Sequence, residues 1–345
     1  MSSNENRSNA TPMTAGCEPQ SSACNPAESG EATRHPQHSS PMAEAFARQG
    51  KRLSGVLDHD LFFIVGCEKS GTSWLQHLLN SHHQIACRGE SRIGLILLPL
   101  LRQAIEVWNQ NHLLGKQGSL DEAAWQHFAR TAAALVFDQS WPIRPHTRVI
   151  GEKTPGHAKA IADLSSIFPQ AKFIHIIRDG RDGVVSGWHH NMHRGKPDFR
   201  QRFPRFADYT RYFVQAHWLP YIASARAFGS QHPARYHELR YEDLHSAPET
   251  TVERLLAFLN VDAAPEHVQA CIESGSFSKL SKGRDRGEEK ADSHFRKGVV
   301  GDWRNVFDDT ALEAFMAAGG REMLQVLGYD IHAQVTGGDV EHAVA

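Results

Sequence analysis

The 345-residue chain is poor in cysteine, nearly balanced in charge and without a long apolar run, and each scarcity removes a class of protein. There are only five cysteines. Cys17 and Cys24 fall in a polar N-terminal stretch, and Cys67, Cys87 and Cys271 show no C-x-x-C spacing, which argues against a disulfide framework or a thiolate zinc site. The formal net charge of -2 and pI near 6.9 provide no overall field for nucleic acid or an anionic membrane. Any anion site must be local. The most apolar run, IGLILLPLL at 93–101, is short of a membrane span and contains Pro99. With no basic start leading into an apolar segment, the expectation is a cytoplasmic protein with no membrane span and no nucleic-acid partner.

Residues 1–50 are rich in Ser, Asn, Pro, Glu and Ala and are expected to be a disordered tail. One domain is expected over 55–333, with a flexible tail over 334–345. Strands are predicted at 61–65, 147–151, 172–177 and 236–241, and helices at 72–79, 123–137, 157–168, 209–228 and 249–259. A capping box of Ser119 and Glu122 is expected to open the helix at 123–137. Strands alternating with helices define an α/β fold: a P-loop-like parallel sheet flanked by helices on both faces. Ligands in such folds gather beyond the carboxyl ends of the strands.

Three segments carry chemistry. In the first, FFIVGCEKSGTSWLQHLL at 62–79, Gly66 and Gly71 have the separation of a phosphate loop. However, Thr72 and Ser73 follow the second glycine, where an ATP loop has lysine and then a hydroxyl for magnesium, and Lys69 lies inside the loop. Free amides at a strand-to-helix turn still favour an anion. The second is IIRDGRDGVVSGW at 176–188, where Arg178 leaves a strand and Ser186 follows in the next helix. The pair suits a phosphate, although Arg178 could instead pair with Asp182. The third, FRKGVVGDWRNVF at 295–307, offers Arg296, Lys297 and Gly298 as a flexible basic segment anchored by Trp303. It is expected to gate an anion site, unless it is simply a solvated loop.

In this order the segments resemble the sulfotransferases that use 3'-phosphoadenosine 5'-phosphosulfate (PAPS), over roughly residues 60–330. The resemblance implies that Lys69, Ser70, Gly71, Thr72, Ser73 and Trp74 form the 5'-phosphosulfate loop, that Arg178 and Ser186 hold the 3'-phosphate, and that Arg296, Lys297 and Gly298 close over it. Tyr241, in RYEDL, matches a residue that helps hold adenine. Trp74 would stack on adenine or, on residue pattern alone, pack in the core. Transfer in this family proceeds without a metal, so no metal ligand is expected, and Lys69 would stabilise the leaving oxygen.

The run E-K-T-P places Pro155 where cytosolic members have the histidine of K-T-H. That departure, with CRGESRIG at 87–94, resembles the tyrosylprotein branch and implies Glu90 as general base, Lys153 as helper of Lys69 and Arg92 as an acceptor contact. Glu90 could alternatively be a surface carboxylate paired with Arg88 or Arg92. His157, two residues past Pro155, is the rival base and a second acceptor contact, unless it is simply a residue at a helix N-terminus. His189 and His193, spaced i, i+4, could form a metal pair or part of the acceptor wall. The acceptor is expected to bear a hydroxyl or an amine. An ATP-dependent kinase and a non-catalytic nucleotide binder are the competing readings.

Overall fold

The computed structural model describes residues 40–111, 118–140, 143–194, 198–290, 293 and 295–335. Contacts divide the chain into two units, Met1–Ala45 and Phe46–Ala345. A helix, α1 (Pro41–Leu57), begins inside the stretch read as tail. Cys17, Cys24 and most of both expected tails lie outside the described residues.

The larger unit is built on five parallel strands in the order β2-β3-β1-β4-β5: β1 (Asp60–Gly66), β2 (Ile85–Arg88), β3 (Val149–Lys153), β4 (Lys172–Ile177) and β5 (Tyr236–Arg240). Successive side chains of a strand point to opposite faces. On β1, Phe63 and Val65 therefore enter one apolar layer, while Phe62 and Ile64 enter the other. The second layer is filled by Leu75, Leu78 and Leu79 of α2 (Thr72–Asn80) and by helices Pro248–Phe258 and Pro265–Ser274. Helices Glu122–Ser140, Ile161–Ile167 and Leu219–Gln231 cover the first. The doubly covered parallel sheet is the expected fold.

Three boundaries differ from expectation for physical reasons. The strand expected at 147–151 runs two residues later, because Glu152 and Lys153 are buried with partners and extend β3 rather than ending it. The helix expected at 209–228 is interrupted by a π turn, Val214–Trp218, in which Leu219 N–H reaches Val214 C=O. Pro220, which has no N–H to donate, follows directly. The helix at Glu122–Ser140 is capped not by Ser119 but by Asp121, whose carboxylate accepts from Ala124 N–H at 2.9 Å.

Ile64 of β1 is level with Lys153 of β3 and Ile174 of β4. This register brings the carboxyl ends of the three central strands to one edge, where the loops carrying Lys69, Glu90 and Arg178 meet.

Candidate active site

At that edge lies a cleft of about 730 Å³ lined by Lys69, Gly71, Thr72, Ser73, Trp74 and Glu90 at one end. Arg178, Ser186, Tyr241, Arg296, Lys297 and Gly298 line it as well. Residues separated by more than two hundred positions are thus gathered in one cavity.

The loop after β1 is shaped by its glycines. Gly71 has φ 98°, and a Cβ there would stand 2.5 Å from the Tyr241 ring. Only glycine allows both the left-handed turn and that approach. The first bond of α2 runs from Leu75 N–H to Gly71 C=O, leaving the amides of Thr72, Ser73 and Trp74 without an intrahelical acceptor. Lys69 is itself left-handed at φ 72°. Ser70 differs from expectation: it is buried and its hydroxyl donates to Cys67 C=O at 2.7 Å, so its side chain serves the turn rather than the cleft.

Trp74 is partly packed and partly exposed to the cleft. Its indole N–H donates to Gly275 C=O at 2.6 Å, and its ring lies 5.2 Å from Tyr241 and 4.7 Å from His245 while still lining the cleft. The Arg178 guanidinium sits 4.2 Å over the Tyr241 ring and donates to the carbonyls of Lys69 and Val299. The ion-pair alternative also holds, since Arg178 is 3.6 Å from Asp182. Its Nε is buried without a hydrogen-bond partner among the described residues. His245 accepts from Arg286 at 2.7 Å, and burial, then the neighbouring Arg286 and Arg178, push its pKa down to about 4.

The closing segment is tied to the helix Gly180–Arg194 through Asp182, which accepts from Gly301 N–H at 2.7 Å and Trp303 N–H at 3.0 Å. Trp303 is fully buried as expected, beneath Arg181 at 3.9 Å. Gly298 has φ 65° and no room for a Cβ against the Phe277 ring. Arg296 pairs with Glu289 at 2.8 Å and also with Asp302; Lys297 lies 3.1 Å from each of the same two carboxylates. Glu289 and Asp302 carried no signal recognised in the sequence, although Asp302 stands within the closing motif.

On the opposite side, Lys153 Nζ donates to Glu90 at 2.7 Å and to Ser73 Oγ at 3.1 Å. Arg92 lies 3.8 Å from Glu90, the pairing weighed as the alternative for that carboxylate, and is largely exposed and outside the cleft lining. His157 sits in the 3-10 turn Pro155–Ala160 that leads into the helix Ile161–Ile167, which fits the helix N-terminal reading and not that of the rival base. It is fully buried, its Nδ1 2.9 Å from Glu152, while its Nε2 accepts from Gly94 N–H. Burial works to raise the Glu152 carboxyl, but hydrogen bonds from His157, Thr154 and Ser91 hold it below the ordinary range. His157 is therefore packed against Glu152 beside β3 and stands outside the cleft lining.

The cleft also has an aromatic wall of Phe199, Phe203, Tyr209 and Tyr212, with His190 and Asn191 in the lining and Tyr212 joined through His217 to Glu68 beside Lys69. His189 is buried and His193 exposed, and they belong to no metal-sized cluster among the described residues. Glu68 was missed in the sequence. It takes hydrogen bonds from His217 at 3.2 Å and Tyr221 at 3.1 Å across some 150 residues, a separation no local pattern announces.

A family model described as "Sulfotransferase family" matches residues 62–265, more than half of the chain, from within β1 to the start of the helix Pro265–Ser274. The chain belongs to the sulfotransferase family. It is an enzyme that transfers a sulfuryl group. Protein-tyrosine sulfotransferase 1 of Danio rerio is 27% identical over 300 residues, covering 84% of this chain and 79% of the relative. Sulfotransferase 2A1 of Macaca fascicularis is 24% identical over 278 residues, covering 75% and 82%. Mouse sulfotransferase SULT7A1, solved with PAP, superposes with a TM-score of 0.47 at 20% identity over 79% of this chain and 89% of that one. No helix among the described residues is long and apolar enough to cross a membrane.

Proposed function

We propose that the protein transfers the sulfuryl group of PAPS to an acceptor hydroxyl, with Glu90 as general base and Lys69 and Lys153 at the leaving oxygen. The observation that carries this reading is the position of Lys153, whose ammonium bridges the hydroxyl of Ser73 in the nucleotide loop and the carboxylate of Glu90. Donor loop and base thus share one cation.

The residues present fit a nucleotide with two anionic ends. The free amides of Thr72 to Trp74, together with Lys69, suit a 5'-phosphosulfate. Arg178, with its unpartnered buried Nε, and Ser186, Arg296 and Lys297 suit a 3'-phosphate, since guanidinium and ammonium groups prefer phosphate oxygens. Trp74, Tyr241 and neutral His245 would flank the adenine. When bound, PAPS supplies an activated sulfuryl group whose departure leaves negative charge on a phosphate oxygen.

Drawing Lys153 towards a developing anion beside Ser73 would open the Glu90 carboxylate to the acceptor's proton, so that one ammonium serves both ends of the transfer. The aromatic wall of the cleft, and relatives named for tyrosine and hydroxysteroid acceptors, support a hydroxyl on an aromatic or alicyclic group over an amine.

The test has two arms. 3'-Phosphoadenosine 5'-phosphate should raise the melting temperature in EDTA far more than ATP does with magnesium. Sulfur-labelled PAPS should then label a tyrosyl peptide, a simple phenol or a hydroxysteroid. Equal stabilisation by magnesium ATP would replace the donor assignment. Label appearing only on amines would replace the acceptor assignment.

A further inference from the structure

Away from the cleft, the end of α2 meets the start of the helix Pro265–Ser274, and four histidines converge there. His82 and His83 follow α2, and His267 lies in the first turn of the second helix; one ring nitrogen from each lies within 4.8 Å of the other two. The His82 and His83 rings are stacked at 4.7 Å, His83 and His267 are 4.6 Å apart, and His146 stands 6.5 Å beyond His83. We propose that His82, His83 and His267 form a binding site for a divalent transition metal of zinc type, separate from the sulfuryl-transfer site and independent of how that site is read.

The hydrogen bonds around the rings favour this over a chance meeting of aromatic side chains. A metal-bound imidazole usually donates its second N–H to a carbonyl or carboxylate, which fixes the tautomer and directs the remaining lone pair to the metal. His82 Nε2 lies 2.8 Å from Asp262 C=O, so Nε2 carries the proton and Nδ1 carries the lone pair. That Nδ1 receives only a long 3.2 Å contact from Gln84 N–H, which a metal would displace. His267 repeats the pattern, with Nε2 3.4 Å from the Asp262 carboxylate.

The frame is also rigid. Arg144 donates to the carbonyls of His82 and Ile85, Gln84 C=O accepts from Arg148 and Val149, and the Gln84 side chain accepts from Asp262 N–H. Both sides of the cluster are therefore pinned to the sheet and to each other. His82 is buried, while His83 and His267 are half-buried and His146 exposed, leaving an open approach for an ion and a fourth position for water or His146. Three imidazole nitrogens suit zinc, copper or nickel and not magnesium or calcium, which prefer oxygen.

The test uses the full chain after dialysis against EDTA. Cobalt(II), used as a spectroscopic probe, should bind with one equivalent per chain and give visible bands of the intensity that marks four-coordinate rather than octahedral geometry. Zinc should displace it and raise the melting temperature. His83→Ala and His267→Ala, both at half-buried positions, should each weaken binding at least about tenfold, whereas His193→Ala should leave it unchanged. Circular dichroism of the metal-free variants checks folding, and X-ray absorption of the zinc-loaded parent reads imidazole ligands directly. Weak octahedral cobalt bands, no imidazole in the absorption spectrum, or parent-like affinity in the folded His83→Ala and His267→Ala variants would overturn the site.

Discussion

Lys153 Nζ lies 2.7 Å from Glu90 Oε1, a pair in which the ammonium is nearly buried and the carboxylate is partly open to the cleft. Since Lys153 also reaches Ser73, the end of β3, the first turn of α2 and the connection after β2 are joined at one charged atom.

If Glu90 takes the acceptor's proton, Glu90→Gln should retain bisphosphate affinity and lose transfer by ~10²- to 10⁴-fold. The amide preserves the shape without the basicity. Single-turnover transfer and calorimetric titration of the bisphosphate separate the two effects. A parent-like rate would move the base elsewhere in the cleft, with the Glu68–His217 pair the next carboxylate and imidazole in reach.

Glu289 holds both Arg296 and Lys297, the two cations proposed for the 3'-phosphate. A carboxylate that must be displaced reduces apparent affinity for the incoming phosphate. Glu289→Gln is expected to tighten bisphosphate binding by roughly two- to tenfold, measured by titration at fixed salt. Weakened binding would mean that the carboxylate assembles the segment rather than competes with its ligand.

Gly71→Ala places a Cβ against the Tyr241 ring and puts a non-glycine residue at φ 98°. The backbone strain alone costs about 1–2 kcal/mol, and relief by moving Tyr241 would disturb its stack with Arg178. Lower melting temperature together with loss of nucleotide-dependent stabilisation is expected. Loss of stability with binding intact would uncouple Tyr241 from the nucleotide.

His189 and His245 are both pushed from 6.5 to about 4, burial being the main cause in each, with nearby arginines adding to it. A lowered folded value means that the unfolded chain binds more protons between these limits, so the stability these residues support is present above pH 6.5 and falls as pH drops towards 4. The melting temperature should decline over that window, and His245→Gln should make the decline shallower. An identical pH profile in the variant would show that His245 is not held neutral.

Much of this was legible in residues that act locally. The run KFIHII reads as a buried strand because every side chain but the first is buried, and Lys172–Ile177 has the expected ends. By contrast, IACR is only four residues long and was missed, although β2 leads the chain to Glu90. The nucleotide loop, Arg178 and the basic segment could be read because backbone geometry and charge leave short motifs. Glu68 with His217, and Glu289 with Lys297, depend on packing between distant elements or on which of several charges finds a partner. His157 shows the limit most clearly. Its type and position suggested a base, and only the burial of Glu152 beside it reveals a packed residue.

The grip of Asp182 on the amides of Gly301 and Trp303 also bears on how the polypeptide matures during synthesis. Asp182 is almost fully buried, and burial raises its carboxyl pKa against the pull of Arg178 and those two amides. A nascent chain that has passed β5 already holds every strand of the sheet, but it still lacks two hydrogen-bond donors for this carboxylate and the indole that lies beneath Arg181. Asp182 then lacks these two donors until residues 301–303 have been made, so the helix Gly180–Arg194 gains its full support well after the sheet is complete.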